Sequence, residues 1–146
     1  MQNILIDLSK RGGKIKYQNA VNNGPTYPSG GVRKGSTNFY DFKEAEISYA
    51  RTHDSAFCSA YGNGEFLVDI HRIFRDFNAD ENDPASYIFA PTDKYLANMI
   101  AAGVKPFFRL GESIEHHYKF GTLPPKDNAK WARICEHVIR HYTEGW

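Results

Sequence analysis

A short polar run at residues 51–54 carries the side chains best suited to binding chemistry. Side chains alternate along a strand, so Arg51 and His53 lie on one face and Thr52 and Asp54 on the other. A guanidinium makes charge-assisted hydrogen bonds to carboxylates, and an imidazole can hydrogen-bond a polar ligand. The run therefore predicts either a binding surface shared by Arg51 and His53 or a structural arginine–carboxylate pair beside a satisfied histidine.

Three further residues at the ends of predicted strands can contact a ligand. Asn22 and Asn23 end one strand and can hydrogen-bond hydroxyl groups, although asparagine before glycine is equally typical of a turn. Arg109 lies on the predicted inward face of a later strand. Its charge either faces an anionic ligand or pairs with Glu112 or Asp54.

Residue types that ligate metals occur in two runs, Asp69-x-His71 and His116-His117, but no third and fourth ligand follow at known spacing. We therefore expect no metal. Because no glycine-rich phosphate motif follows any predicted strand, we also expect no cofactor. The two cysteines, Cys58 and Cys135, lie far apart and predict buried thiols without a disulfide framework.

The overall charge argues against two classes of partner. Lys and Arg number 18 and Asp and Glu number 17, a formal net charge of +1, so no global field attracts nucleic acid or an anionic membrane. Residues 1–8 lack the regions of a secretory signal, and no window reaches the roughly 18 apolar residues of a membrane span. We expect neither partner. The native compartment is left open, since a cytoplasmic chain and a secreted or periplasmic parent protein are both compatible.

Alternating extended and helical segments must position these residues. Extended segments are predicted at residues 4–8, 14–21, 47–54 and 104–111. Helices are predicted at residues 38–45, at residues 91–103 with a cap in the run 91–93, and after residues 124–127. The last helix has the clearest periodicity, with an apolar stripe formed by Trp131, Ile134, Cys135, Val138 and Tyr142. Residues 55–86 are predicted to be a long connection that covers one end of the domain.

The order of these elements predicts an α/β fold. Strands that alternate with helices form parallel sheets, and three such units are visible. Each strand ends in polar residues and a long loop, as in barrels that build a site at the carboxyl ends of their strands. We predict a partial (β/α)8 TIM barrel over residues 14–146, about the first three βα units, after a short strand or hairpin in residues 1–13. Open strand edges then predict self-association or a homo-oligomer.

Three runs of the sequence resemble glycoside hydrolase family 39, which includes β-xylosidases and α-L-iduronidases. They are ISYARTHD at residues 47–54, AAGVKPFFRLG at residues 101–111 and KWAR at residues 130–133. The resemblance covers roughly residues 14–146. It implies a retaining hydrolase that acts on O-glycosidic bonds of a carbohydrate. It also implies that Arg51 orients the nucleophilic carboxylate and that His53 binds a sugar hydroxyl.

The resemblance places both catalytic carboxylates elsewhere, with an acid/base glutamate in an Asn-Glu-Pro motif after strand four and a nucleophile after strand seven. Because such a barrel needs about 250 residues, we expect no catalytic residue in these 146 residues and no activity of the chain alone. Arg109 departs from the family, which has an acidic residue there, and an extra cation favours an anionic sugar or a structural pair. A noncatalytic sugar-binding or scaffold fragment and an unrelated α/β binding domain stay open as alternatives.

Overall fold

Three short strands alternate with helices in the computed structural model, which describes residues 3–10, 12–14, 16, 18–25, 37–52, 68–112 and 123–146. No helix in these ranges is long and apolar enough to cross a membrane. The elements in chain order are β1 (Ala20–Asn22), α1 (Phe39–Glu44), β2 (Tyr49–Arg51), α2 (Ile70–Ile73), a 3-10 turn (Pro84–Ser86), α3 (Ala90–Ala101), β3 (Lys105–Phe107) and α4 (Asn128–Glu144).

The three strands form one sheet in the order β1-β2-β3, and both neighbouring pairs are parallel. Asn22 lies beside Arg51, and Arg51 lies beside Phe107, so the carboxyl ends of the strands are aligned. Ala50 is fully buried under the helices, whereas the side chains before and after it face the opposite side of the sheet. This arrangement is compatible with the α/β class. The continuation of the sheet into a barrel stays a prediction.

Each strand is shorter than its alternation predicts. The ladder between β2 and β3 ends where a side chain replaces a backbone acceptor. Thr52 donates its N–H to the carbonyl of Phe107 at 3.0 Å, but the N–H of Arg109 is bound by Thr52 Oγ1 at 2.8 Å. Backbone pairing therefore stops at Phe107, and residues 108–111 continue as a loop packed against the helices.

The strand predicted at residues 4–8 is wrong. Residues 3–7 lie in no regular element, and residues 8 and 9 form a turn. The apolar side chains of this run are exposed, with Ile4 at 88%, Leu5 at 94% and Leu8 at 90%. An apolar run becomes a strand only when it finds a neighbouring strand and a surface to bury against, and the described part of the chain supplies neither here.

The predictions of α1, α3 and α4 are confirmed in position. Asp127 caps α4 by accepting the N–H of Lys130 at 2.9 Å, and Gly145 ends it with φ 75°. Gly103 follows α3 with φ 82°, as predicted. The cap predicted in the run 91–93 is wrong, because α3 already begins at Ala90 and those residues form its first turn.

The described part of the predicted connection, residues 68–86, is not a cover over one end of the domain. It contains α2 and the 3-10 turn, and Ile70, Ile73 and Phe74 are buried in the core. Four helical residues are too few to show a helical period in sequence. This segment is therefore part of the folded interior.

The described residues form two apolar clusters in the interior. The first joins the sheet to α1 and α3 around Ala50, Tyr95 and Met99. The second joins α2 to α4, and its fully buried members include Ile73 and Ile134. Trp131 and Trp146 pack against this second cluster, and the Trp146 ring stacks on His137 with centroids 4.2 Å apart. Both tryptophans thus serve packing.

Candidate functional site

A row of three side chains follows the carboxyl ends of the strands, and we call Asn22, Arg51 and Phe107 the carboxyl-end row. The aligned register places them side by side on the face of the sheet opposite Ala50. Arg51 donates from Nη1 to Asn22 Oδ1 at 3.2 Å, and the ring of Phe107 is 62% exposed. The row therefore offers a guanidinium, an amide and an apolar ring to one ligand.

Asn23 belongs to a turn that fastens the end of β1 to the rest of the fold. It has φ 67° and donates its N–H to the carbonyl of Arg51 at 2.9 Å. The next residue, Gly24, donates its N–H to the hydroxyl of Tyr95 at 2.9 Å, and burial raises the pKa of Tyr95. Asn23 Oδ1 is buried and finds no hydrogen-bond partner among the described residues. Turn chemistry accounts for these contacts, and a binding role for Asn23 stays a prediction.

A second group of polar side chains, Asp69, His71, Arg109 and Glu112, lies next to β3, and we call it the Arg109 cluster. Arg109 Nη2 contacts Asp69 Oδ1 at 3.1 Å, and the Asp69 side chain is only 1% exposed. Arg109 Nη1 donates to the backbone carbonyl of Glu112 at 2.8 Å. The Glu112 carboxylate accepts the N–H of His71 at 2.9 Å and also contacts the ring nitrogen Nδ1 of His71.

This cluster fixes the loop that follows β3 onto the start of α2. Ile70 donates its N–H to the carbonyl of Gly111 at 3.1 Å, and Gly111 has φ 144°, a conformation that favours glycine. Cys135 on α4 lies close enough for the charge of Glu112 to affect its thiol. Burial, and next the negative charge of Glu112, raise the pKa of the Cys135 thiol to about 11. The cluster is therefore a packed junction of loop, α2 and α4.

The Arg109 cluster contains three groups that can ligate a metal. One oxygen or nitrogen each from Asp69, His71 and Glu112 lie within 4.8 Å of one another. The sequence shows no third and fourth ligand at known spacing for the Asp69-x-His71 run, and Glu112 is separated from His71 by 41 residues, where no spacing rule points to it. The expectation that the chain binds no metal stays a prediction. A cation at this place would compete with the Arg109 guanidinium for Asp69.

The predicted site residues thus separate into groups. Asn22 and Arg51 are brought together in the carboxyl-end row. Arg109 joins a different cluster, where its guanidinium contacts the backbone carbonyl of Glu112, a residue that the sequence offered as a partner, and the carboxylate of Asp69, which the sequence did not indicate. His53 and Asp54 lie outside the described residues, as do Cys58 and the His116-His117 run. A role for His53 beside Arg51 therefore stays a prediction.

Comparison with known proteins relates the chain to a class of enzymes. It is similar to a beta-xylosidase from Geobacillus stearothermophilus, with 26% identity over 92 residues. The matched region is 57% of this chain and 18% of the relative, so the chain spans less than a fifth of the relative's length. No protein-family model matches the chain, and no solved structure matches it. This low and partial similarity indicates a distant relationship with glycoside hydrolases.

Proposed function

We propose that the chain forms the first three βα units of a (β/α)8 barrel in a retaining glycoside hydrolase of family 39, where it positions the sugar. The observation that carries the proposal is the Arg51–Asn22 hydrogen bond at the aligned carboxyl ends of two parallel strands. Enzymes built on this barrel bind substrate at that end of the sheet. The distant similarity to a beta-xylosidase supports the same class.

The described residues leave one face of the sheet exposed, and this face supports a barrel. One face packs on helices, while Tyr49 and Phe107 on the other face are 45% and 62% exposed. In a closed barrel this second face becomes the interior, filled by side chains of the remaining strands. The same open face and the outer edges of β1 and β3 are the surfaces through which the predicted self-association would occur.

The residues of the row have different proposed roles. Arg51 holds a carboxylate of the complete active site in its ionised form through charge-assisted hydrogen bonds, and Asn22 orients the guanidinium through its amide oxygen. Phe107 offers an apolar ring against which a sugar ring can pack. Arg109 already binds Asp69, so we assign it to the shape of the loop after β3 and not to an anionic sugar.

Asp69 and Glu112 are the two carboxylates of the Arg109 cluster, and their oxygens lie within the 4.8 Å that the cluster spans. Retaining glycosidases hold their catalytic carboxylates about 5–5.5 Å apart, and these two oxygens are closer together than that. The burial of Asp69 argues against the interpretation of these two groups as a catalytic pair. The Asp69 side chain is 1% exposed and bound to Arg109, so it cannot reach the anomeric carbon of a bound sugar.

The proposal is tested by titrating the chain with xylobiose while amide resonances are followed by NMR. We expect saturable binding, since the row offers the Arg51 guanidinium to a ligand when the carboxylate of the complete active site is not in the chain. Binding should be about tenfold weaker for Arg51→Gln, which loses a hydrogen bond from a charged group. Arg140→Gln is the matched control, because Arg140 forms an exposed pair with Glu144 on α4. Equal affinity of Arg51→Gln and the control, or no saturable binding, would contradict the proposal.

A hydrolysis assay distinguishes a chain that only positions the sugar from a chain that also contains the catalytic groups. With an aryl β-xyloside, we expect binding without release of the aryl alcohol, since the row supplies no carboxylate pair. Release of the alcohol at a rate that Arg51→Gln lowers would show that catalytic groups lie within this chain, and the assignment of a positioning role alone would be wrong.

A further inference from the structure

A large cavity lies at the amino ends of β2 and β3, at the opposite end of the sheet from the carboxyl-end row. Its volume is about 1000 Å³, at the upper end of the range typical for small-molecule sites. Ile47, Tyr49, Ile100 and Ala101 are among the residues that form its apolar surface. Ile100 is 64% exposed, so this apolar surface is open to a ligand. We call this space the amino-end cavity.

The charged lining of the amino-end cavity is strongly one-sided. Among the residues that the structure describes, four lysines line it, Lys14, Lys16, Lys43 and Lys105, together with one carboxylate, Glu46. All four lysines are exposed. The net charge of the whole chain is only +1, so this excess is a local feature and not a reflection of composition. Lysines around an apolar floor attract a molecule that carries both an anionic group and an apolar body.

Hydrogen bonds hold the wall of the cavity in place. Asn19 binds the carbonyl of Glu46 through its side-chain amide and accepts the hydroxyl of Ser48 at 3.0 Å. Glu46 has φ 50°, which turns the chain from α1 into β2. The backbone carbonyl of Ser48 accepts the N–H of Lys105 at 3.0 Å. Lys43 and Lys105 therefore lie on segments that these hydrogen bonds link together, α1 and β3.

Two of the lysines also lie over aromatic rings of the fold. Lys43 Nζ is 5.3 Å from the centroid of Phe39, and Lys105 Nζ is 5.6 Å from the centroid of Tyr49. Such contacts restrain the ammonium groups without neutralising their charge, because an aromatic ring carries none. The cations thus remain available to an anion.

From the cavity volume, its apolar floor and its lysines, we propose that the amino-end cavity binds a small amphipathic anion. The ligand has an aromatic or aliphatic body and a sulfonate, carboxylate or phosphate group. The amino-end cavity is distinct from the carboxyl-end row, since the two lie at opposite ends of the sheet and share no residue.

The test uses two dyes of nearly equal shape. Anilinonaphthalene sulfonate carries one negative charge, and phenylnaphthylamine is its uncharged counterpart. We expect the sulfonate to bind one site per chain and to weaken as salt is raised. The double variant Lys43→Gln with Lys105→Gln should bind the sulfonate about two- to thirtyfold more weakly, the range expected for the loss of two exposed ion pairs. Its affinity for the uncharged dye should stay within twofold of the wild-type value.

Two control variants distinguish the effect of the cavity's lysines on dye affinity from that of lysines elsewhere and from that of the apolar floor. Lys94→Gln with Lys126→Gln removes two exposed lysines outside the cavity and should leave both affinities unchanged. Ile100→Asp changes an exposed position of the floor, so the fold is retained, and it should weaken both dyes. Circular dichroism verifies the fold of every variant.

Two results would overturn the proposal. Equal effects of the two lysine pairs on the sulfonate would show that no local site exists. If the double variant at Lys43 and Lys105 lost affinity for a glutamate-rich peptide while dye binding was unchanged, the surface would serve acidic protein segments and not a small molecule.

Discussion

The buried ion pair between Asp69 and Arg109 allows us to predict how much the free energy of unfolding falls when one of its charges is removed. The Asp69 side chain is 1% exposed, Arg109 is 17% exposed, and their nitrogen and oxygen lie 3.1 Å apart. Asp69→Asn keeps the shape of the side chain and removes its charge, so the guanidinium loses its contact with a buried carboxylate. Removing one partner of a buried pair costs about 3–5 kcal/mol. Since Arg109 retains some contact with solvent, we expect the lower end, about 3 kcal/mol.

That loss is a large fraction of the stability of a domain, which is typically about 5–15 kcal/mol. With a urea dependence of about 2 kcal/mol per molar, it lowers the unfolding midpoint by about 1.5 M. The measurement is urea unfolding followed by circular dichroism. The double variant Asp69→Leu with Arg109→Met removes both charges and should be closer to the wild type than Asp69→Asn.

Glu144→Gln is the matched control for this experiment. Glu144 pairs with Arg140 one turn away on α4, and the two side chains are 59% and 41% exposed. An exposed pair of this kind contributes about 0.3–0.5 kcal/mol. If Asp69→Asn shifts the midpoint no more than Glu144→Gln does, with an unchanged urea dependence, the pair is not the buried anchor that its geometry indicates.

Two further changes test the fold away from the Arg109 cluster. Gly24→Ala places a methyl group against the buried side chain of Met99, so we expect a loss of about 1–3 kcal/mol, seen as a lower Tm, whereas Gly12→Ala meets nothing and should leave Tm unchanged. A Gly24→Ala Tm equal to that of Gly12→Ala would contradict this packing. The pKa of Glu81 is lowered to about 2 by a hydrogen bond from its own backbone and next by Arg133. A lowered pKa stabilises the folded state above the ordinary value of 4.5, and this contribution is lost as the pH falls from there towards 2. The urea midpoint of the wild type should therefore exceed that of Glu81→Gln at pH 6 and approach it at pH 3, and a difference independent of pH would refute the assignment.

The helices were predictable from sequence because their signals are local. The apolar stripe of α4 and the glycine after α3 are set within a few residues, and both agree with the structure. Strand ends were not predictable, since the Thr52 hydroxyl that ends the ladder lies 57 residues from the Arg109 N–H that it binds. For the same reason the exposed run at residues 4–8 was misassigned, because the neighbour that a strand needs is a tertiary property.

The contacts of the candidate site also differ in whether the sequence could predict them. The meeting of Asn22 with Arg51 followed from a simple rule, that parallel strands align their carboxyl ends, and the structure brings the two side chains into contact. The pairing of Arg109 with Asp69 spans 40 residues and has no local signature. The amino-end cavity was missed entirely, since its four lysines come from three separate places along the chain and become a group only once α1 and the strands are in place.

The placement of the two tryptophans makes the protein's intrinsic fluorescence a selective optical reporter. Trp131 and Trp146 are the only tryptophans in the sequence, and both pack against the cluster that joins α2 to α4. Indole emission therefore reports the docking of α4 and does not respond to the unfolding of the sheet. Loss of the sheet with α4 still docked would leave the emission unchanged while the ellipticity fell. Coincident transitions by both signals would mean that the two clusters unfold as one cooperative unit.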